Sequence, residues 1–482
     1  MNELHLPWLE LAIAVPLVGA IVTAQIRDPD AARRYSLVFC GIALLLTLGA
    51  WCDYATLSGG EVHDPWDLMM AFHVAPVIGI DALSAPLLSL ASLLSLLTVL
   101  ATLRTKVRRL SFPRLLLSEA ILLATFSTDR PWVIIALLVA GTISPYINLR
   151  LRRRSTRVFV LHMMLFVALL VTGQWLVDVD RGVGSVIGIG LLMAAVLVRS
   201  GIVPLHCWMT DLFENATFGT ALLFVTPMVG VYAALRLVLP IAPEWALHSI
   251  AMLSLLTAVY AAGMALVQRE ARRFFCYLFL SHSSLVFVGL ETATAISLTA
   301  ALCMWISVSI SMAGFGLTLR SVESRTGRLS LDEFHGLYHH TPGLALLFLV
   351  TGLASIGFPG TAGFIGAELL VDGMVHTVPL VGVIVVCVAA LNGLAVMHAY
   401  FRVFTGTPHV AKVDLKIRRP ERIAVLVLTA LIFGGGLYPQ PGVVSRYAVA
   451  EQLVKDRQRR LGPATTHHGH AAAKASVEIQ MQ

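Results

Sequence analysis

Charge is what this sequence has least of. Only 13% of its 482 residues are Asp, Glu, Lys or Arg, against 57% hydrophobic residues and a mean hydropathy of +0.80. A soluble chain of this length cannot hide so much apolar surface, so the class is integral membrane and predominantly helical. Lysine is missing from a long interior stretch, with none between Lys106 and Lys412. Cysteine is sparse. The six present (Cys40, Cys52, Cys207, Cys276, Cys303, Cys387) lie mostly in apolar runs with no CxxC or metal-ligand spacing, which leaves them as small core residues and predicts no metal site. No basic segment precedes the first apolar run, where Glu3 stands instead, so no cleaved signal peptide is expected. The net charge of +7 is read as basic cytoplasmic loops, and no nucleic-acid partner is expected.

What is present is a series of apolar runs, near 7–26, 36–57, 81–103, 111–127, 131–149, 156–178, 184–213, 216–239, 245–267, 272–290, 292–319, 342–370, 378–405 and 421–438. With roughly 20 residues needed per crossing, they predict about fourteen transmembrane helices. Basic clusters follow the odd-numbered spans: Arg33 and Arg34, Arg108 and Arg109, Arg152 to Arg154, Arg272 and Arg273, Arg320 and Arg325, Lys416 and Arg418. The intervening loops carry Asp64, Asp129, Asp178, Glu244 and Glu291. This alternation puts the odd loops in the cytoplasm and both termini outside, in a multi-pass inner (plasma) membrane protein. The segment 58–80 predicts an external hairpin or an interfacial helix. The polar tail after Pro441, with His467, His468 and His470, predicts a disordered end, with metal binding as the lesser reading.

Two spans are interrupted in a related way. The seventh carries Arg199, Gly201 and Pro204, and continues through His206, Trp208, Asp211 and Glu214; the twelfth carries Gly352, Gly357, Pro359, Gly360 and Gly363. A charge and a helix break at membrane depth are tolerated only against protein or a water-filled cavity. Breaks in corresponding positions of two halves point to inverted repeats with a pathway at mid-membrane. The expected organisation is spans 1–3 over 1–110, one five-helix repeat over 111–240, a second over 241–407, a last span over 408–440 and the tail over 441–482.

Arg199-Ser-Gly-Ile-Val-Pro-Leu-His206-Cys-Trp-Met-Thr-Asp-Leu resembles the Lys-Ser-Ala-Gln-x-Pro-x-His-x-Trp-Leu-x-Asp-Ala signature of the antiporter-like subunits of respiratory complex I, Mrp cation/proton antiporters, membrane hydrogenases and some inorganic-carbon uptake complexes. Gly79-Ile-Asp-Ala-Leu-Ser84 resembles the Gly-x-Asp-Gly-x-Ser start of that family's third span. The segment from Glu270 to Ser284 resembles the start of its tenth, and Leu353 to Phe364 its twelfth-span break. The resemblance runs from about 75 to 407. It implies a membrane subunit of a larger complex-I-related or antiporter-related assembly that contributes to proton or cation translocation. Other membrane subunits, lipid and a soluble cytoplasmic subunit are the implied partners. The chain has no flavin, iron–sulfur or nucleotide motif, so no cofactor is expected and any NADH-quinone oxidoreductase chemistry would belong to partners.

The family moves protons along buried ionisable groups, for which lysine suits because its proton affinity shifts with its neighbours. This chain departs from that pattern. By the resemblance, the fifth-span glutamate falls at Ala140, the seventh-span lysine at Arg199, the eighth-span lysine within Met228-Val-Gly230, the eleventh-span positions at Val308 and Met312, and the twelfth-span position at Ala367, beside Glu368. Arginine does not release its proton in a protein, and can supply only a fixed charge, a carboxylate partner or an anion site. Candidate pathway residues are Arg199, His206, Glu119, Glu368, His282, His398 and His162, with helix breaks at Gly201, Pro204, Gly357, Pro359 and Gly360. Glu119 is the expected partner of Arg199, and Glu368 with Asp372 an outer end of the pathway. The histidines read either as packing residues or together as a substitute for part of the missing lysine line. Loss of that line favours an alternative function, a non-pumping scaffold or coupling subunit, for example the partner of a soluble inorganic-carbon uptake protein.

Overall fold

A computed structural model describes residues 3–57, 60–64, 77–103, 107, 110–179, 183–375, 378–407 and 417–461. The chain is helical almost throughout, because apolar residues in lipid require every backbone N–H and C=O to be satisfied within its own segment. The first helices are α1 (Trp8–Gln25), α2 (Pro29–Thr56), α3 (Ser84–Leu100), α4 (Phe112–Phe126), α5 (Pro131–Gly141), α6 (Ile143–Leu151) and α7 (Arg157–Val179). The middle of the chain forms α8 (Val183–Ser200), α9 (Cys207–Asn215), α10 (Phe218–Val225), α11 (Val229–Ala233), α12 (Glu244–Leu266) and α13 (Ala271–Val288). The last are α14 (Ala295–Thr326), α15 (Pro342–Ser355), α16 (Ala362–Val375), α17 (Pro379–Phe404), α18 (Arg419–Leu437) and α19 (Gln440–Leu461). Among the described residues, nine helical stretches are long and apolar enough to cross a membrane.

Burial sorts these helices. Every residue of α13 from Phe274 to Val288 is buried, and most of α3 and α14, whereas α1, α2, α7 and α18 each expose a long apolar face. The first group forms a central core and the second a lipid-facing rim. Aromatic rings knit the core: Phe315 on α14 packs against Phe274 and Phe275 of α13 and against Phe348 of α15, with centroids 4.6–6.1 Å apart.

The ends of the bundle are tied differently. At one end, Leu4 donates its N–H to the His63 carbonyl beside a two-residue antiparallel pair, Val62–His63 with Gly79–Ile80. Asp64 closes this end by accepting the N–H groups of Leu9 and Glu10, the orphan donors of the first turn of α1. Within 58–80, residues 65–76 lie outside the described residues. At the opposite end, arginines pair with carboxylates: Arg272 with Glu323 at 2.8 Å and Arg325 with Glu421 at 2.5 Å. Arg320 and Arg325 belong to α14 itself, which runs to Thr326, and not to the loop expected there.

The disordered tail expected after Pro441 is corrected over its first part. Residues 440–461 form α19, which packs on α14. Val449 and Ala450 are buried, and two arginines reach back to the core: Arg446 donates to the Ala82 carbonyl at 3.1 Å and Arg457 to the Leu239 carbonyl at 2.8 Å. The polar composition hid a helix whose buried face is built from small apolar residues and arginine stems. His467, His468 and His470 lie outside the described residues.

Candidate functional site

Two helix breaks organise the interior. In the first, α8 stops at Ser200 and α9 starts at Cys207; Gly201 adopts φ +71°, which a side chain would disfavour. The backbone groups freed by the break find partners. The Trp208 indole donates to the Val198 carbonyl at 2.8 Å, Ile202 N–H to Leu197 at 3.0 Å, and Val203 N–H to the Thr257 hydroxyl at 3.1 Å. In the second, α15 stops at Ser355 and α16 starts at Ala362, with Gly357 and Gly360 at φ +79° and +85°. Gly436 of α18 lies against this break, where a Cβ would collide with the Gly360 carbonyl oxygen.

A third break was not anticipated. The span over 218–238 is interrupted at Thr226–Met228, where Met228 takes left-handed φ, and it ends in a π-helical turn over 234–238. The Trp305 indole of α14 satisfies the Pro227 carbonyl at 3.1 Å. Pro227 inside an apolar run was the available signal.

Arg199 ends α8 almost wholly buried. Its guanidinium lies 4.0 Å from the centroid of Phe224 and 5.6 Å from that of Trp208, and Nη2 donates to the Phe224 carbonyl at 3.2 Å. Nε has no hydrogen-bond partner, and no carboxylate among the described residues pairs with it. The expected Glu119 pair does not form. Glu119 faces α2, where the Cys40 thiol donates to its carboxylate at 3.0 Å, while Ser118 and Leu122 on the other side of α4 face the Arg199 cavity. Adjacent helical residues differ by about 100° in direction, so a residue next to a cavity-lining one can point away from it.

The same geometry corrects Glu368. Ala367 lines an interior cavity, whereas Glu368 and Asp372 are exposed on the outer surface of α16. His162 is half-buried and bonds the Val158 carbonyl of its own helix at 2.8 Å. His398 is half-buried, with the Arg402 Nε at 3.3 Å from its Nε2. His206 sits just past the break, 5.5 and 5.9 Å from the rings of Tyr260 and Tyr277, with Nδ1 unpartnered. His282 is the candidate the structure places at the centre: it is 4% exposed, Nε2 has no partner, and it lines a cavity of about 30 Å³ with Ser307, Ser355 and Asn392. Val308 and Ala367 line that same cavity.

Three cavities follow the breaks. The first, about 70 Å³, lies beside Arg199 among α4, α5, α6 and α10. A second, about 20 Å³, joins Arg199 and Ser200 to Ser283. The third is that of His282. A water needs about 10–15 Å³ and polar partners, so each has room for at least one. Polar atoms without partners belong to residues that line them: Ser200 Oγ in the second and Asn392 Oδ1 in the third. No group of three metal-ligating side chains occurs among the described residues.

One ion pair escaped the sequence reading. Arg236, in the π-helical turn, binds Asp81 at 2.7 Å at the start of α3. A lone arginine inside an apolar run and an aspartate inside a recognised motif were the signals. Outside the spanning segments, burial raises the proton affinity of Asp64 above the ordinary carboxylate value.

Residues 174–392 match the family described as NADH:quinone oxidoreductase/Mrp antiporter, transmembrane. That match takes in the first helix break and most of the helices packed around it. It is 26% identical over 491 residues to NAD(P)H-quinone oxidoreductase chain 4 of Acaryochloris marina, covering 91% of each chain. It is 28% identical over 296 residues to NADH-quinone oxidoreductase subunit M of Escherichia coli, covering 58% of each. Its fold is shared with a chain of Thermus thermophilus respiratory complex I (TM-score 0.80, 21% identity, 93% of this chain and 99% of that one) and with a chain of the Mrp complex from Dietzia sp. (TM-score 0.82, 17% identity, 94% and 99%). The chain thus combines two glycine-marked helix breaks with an interior that holds no lysine between Lys106 and Lys412.

Proposed function

We propose that this subunit carries protons across the plasma membrane as one membrane component of a larger assembly, using water and His282 where relatives would use lysine. Fourteen spans fit this reading, with two inverted five-helix repeats at 111–240 and 241–407 and both termini on the outer side. In support, the relatives are named as chains of multi-subunit oxidoreductases, and likeness extends to chains of the Mrp complex and of a membrane-bound sulfane sulfur reductase. The observation that carries the reading is His282. It is buried at mid-helix with an unpartnered ring nitrogen, facing a cavity with Ser307 and Asn392. An imidazole can accept and donate a proton through its ring nitrogens, and hydroxyls with trapped water can extend its reach.

The test is proton flux into liposomes holding the intact assembly, followed with a pH-sensitive dye. His282→Ala should reduce the rate by about 10²-fold, the lower end for loss of a proton-transfer group. Undiminished flux with correct assembly would refute the relay.

A second reading is favoured by Arg199, which is clamped between aromatic rings and cannot release a proton. It is a coupling or scaffold subunit that passes no proton, for instance beside a soluble inorganic-carbon uptake protein. An assembly that does its work with no flux through the wild-type subunit would establish it.

A further inference from the structure

Arg199 has a positive charge at membrane depth and no carboxylate partner among the described residues. Its guanidinium meets two aromatic faces and one carbonyl oxygen, and Nε is left without a partner at 5% residue exposure. Aromatic faces and a dipole lower the cost of a buried cation but leave its charge uncompensated. The guanidinium borders the cavity of about 70 Å³. The same cavity is lined by Arg114, whose guanidinium makes no hydrogen bond or ion pair among the described residues, and by Ser111 and Ser144, whose hydroxyls are likewise uncommitted there. Two cations and two free donors therefore converge on one space with no carboxylate in its lining. Glu119, the nearest acidic residue on α4, is turned to Cys40.

We propose that this cavity binds one small monovalent inorganic anion, such as chloride, between Arg199 and Arg114, with Ser111 and Ser144 as further donors. The volume suits an atom-sized or three-to-four-atom anion with a few waters. The lining offers donors and no spare acceptor charge, so it favours an anion over a cation. The bound ion would act as the counter-charge that holds the α8 break together. The inference does not depend on proton transport, because it is read at equilibrium.

The experiment uses the full-length subunit purified with its partners in detergent. Equilibrium binding of radioactive chloride is measured, and the thermal midpoint is followed as chloride replaces gluconate at constant ionic strength. Saturable binding of one chloride per chain is expected, with a midpoint that rises with chloride because a ligand specific to the folded state stabilises it. Arg114→Gln, near the mouth of the cavity, should weaken binding about tenfold or more, the scale for losing one charged partner. Should Arg199→Gln fail to fold, Gly141→Glu remains informative. Gly141 lines the cavity, and a Cβ there meets nothing nearer than 4.0 Å. A carboxylate supplied from that position should displace chloride and make the midpoint indifferent to it. Absence of saturable binding, or binding unchanged in both Arg114→Gln and Gly141→Glu, overturns the proposal.

Discussion

The ion pair between Arg236 and Asp81 should be the most costly single contact to break at its end of the bundle. It joins the π-helical turn at the end of the 218–238 span to the start of α3, at 2.7 Å, with the two side chains 15% and 24% exposed. Asp81 also accepts the Ser84 N–H at 2.8 Å, and its own N–H donates to the Ser84 hydroxyl at 3.0 Å, which starts α3. Arg236 lies over Tyr232, whose hydroxyl donates to the Thr128 carbonyl. Asp81→Asn keeps the cap and removes only the charge. Breaking a fully buried pair costs about 3–5 kcal/mol, and partial exposure here lowers that to about 2 kcal/mol. Asp81→Ala loses the cap as well and should cost about 3 kcal/mol. Combining Asp81→Asn with Arg236→Met removes the stranded cation and should recover most of the loss, since an apolar replacement of a buried pair is often close to neutral. Equilibrium unfolding of the purified chain in detergent measures all three. If Asp81→Asn stays within about 0.5 kcal/mol of wild type, or the double variant is no better than Asp81→Asn, the pair does not hold these spans together.

Trp208→Phe keeps the ring beside Arg199 but leaves the Val198 carbonyl unpaired at the break; a loss of about 1–2 kcal/mol is expected in the same unfolding measurement. Gly436→Ala should destabilise by about 1–3 kcal/mol, because the new methyl meets backbone at Gly360 and not a side chain that can rotate away. Asp64 gives a pH dependence. Burial holds its folded-state proton affinity above the unfolded value, so the folded chain binds more protons between the two, and the stability it contributes falls as pH rises through that window. Asp64→Asn retains an acceptor for the Leu9 and Glu10 N–H groups and should flatten that part of a stability–pH curve.

The membrane class and the two paired breaks were legible because they depend on local composition. Runs without charge must be helices in lipid, and Gly201, Pro204, Gly357 and Gly360 mark points where those helices cannot continue. Side-chain direction was not legible. Glu119 and Ser118 are neighbours in sequence, yet one meets Cys40 and the other faces the Arg199 cavity. Glu368 and Ala367 split in the same way, and only the alanine points inward. Which side a buried-looking carboxylate takes depends on how the neighbouring helices rotate, and nothing within a single run encodes that. The helix at 440–461 was hidden for another reason: a segment that covers the end of a membrane bundle needs only a few small apolar residues and long basic stems, and its composition reads as polar.

The interior groups divide the work of any ion path in a definite way. A relay needs a group whose proton affinity lies within reach of its neighbours and whose lone pair faces water. Arg199 fails the first condition whatever its surroundings. Glu119 meets no cavity, because its carboxylate is engaged by Cys40. His162 and His398 turn a ring nitrogen to their own helices. His206 has a free ring nitrogen but packs between Tyr260 and Tyr277 and lines none of the three cavities. His282 alone among the named candidates combines an unpartnered ring nitrogen with a place in the lining of one of these cavities.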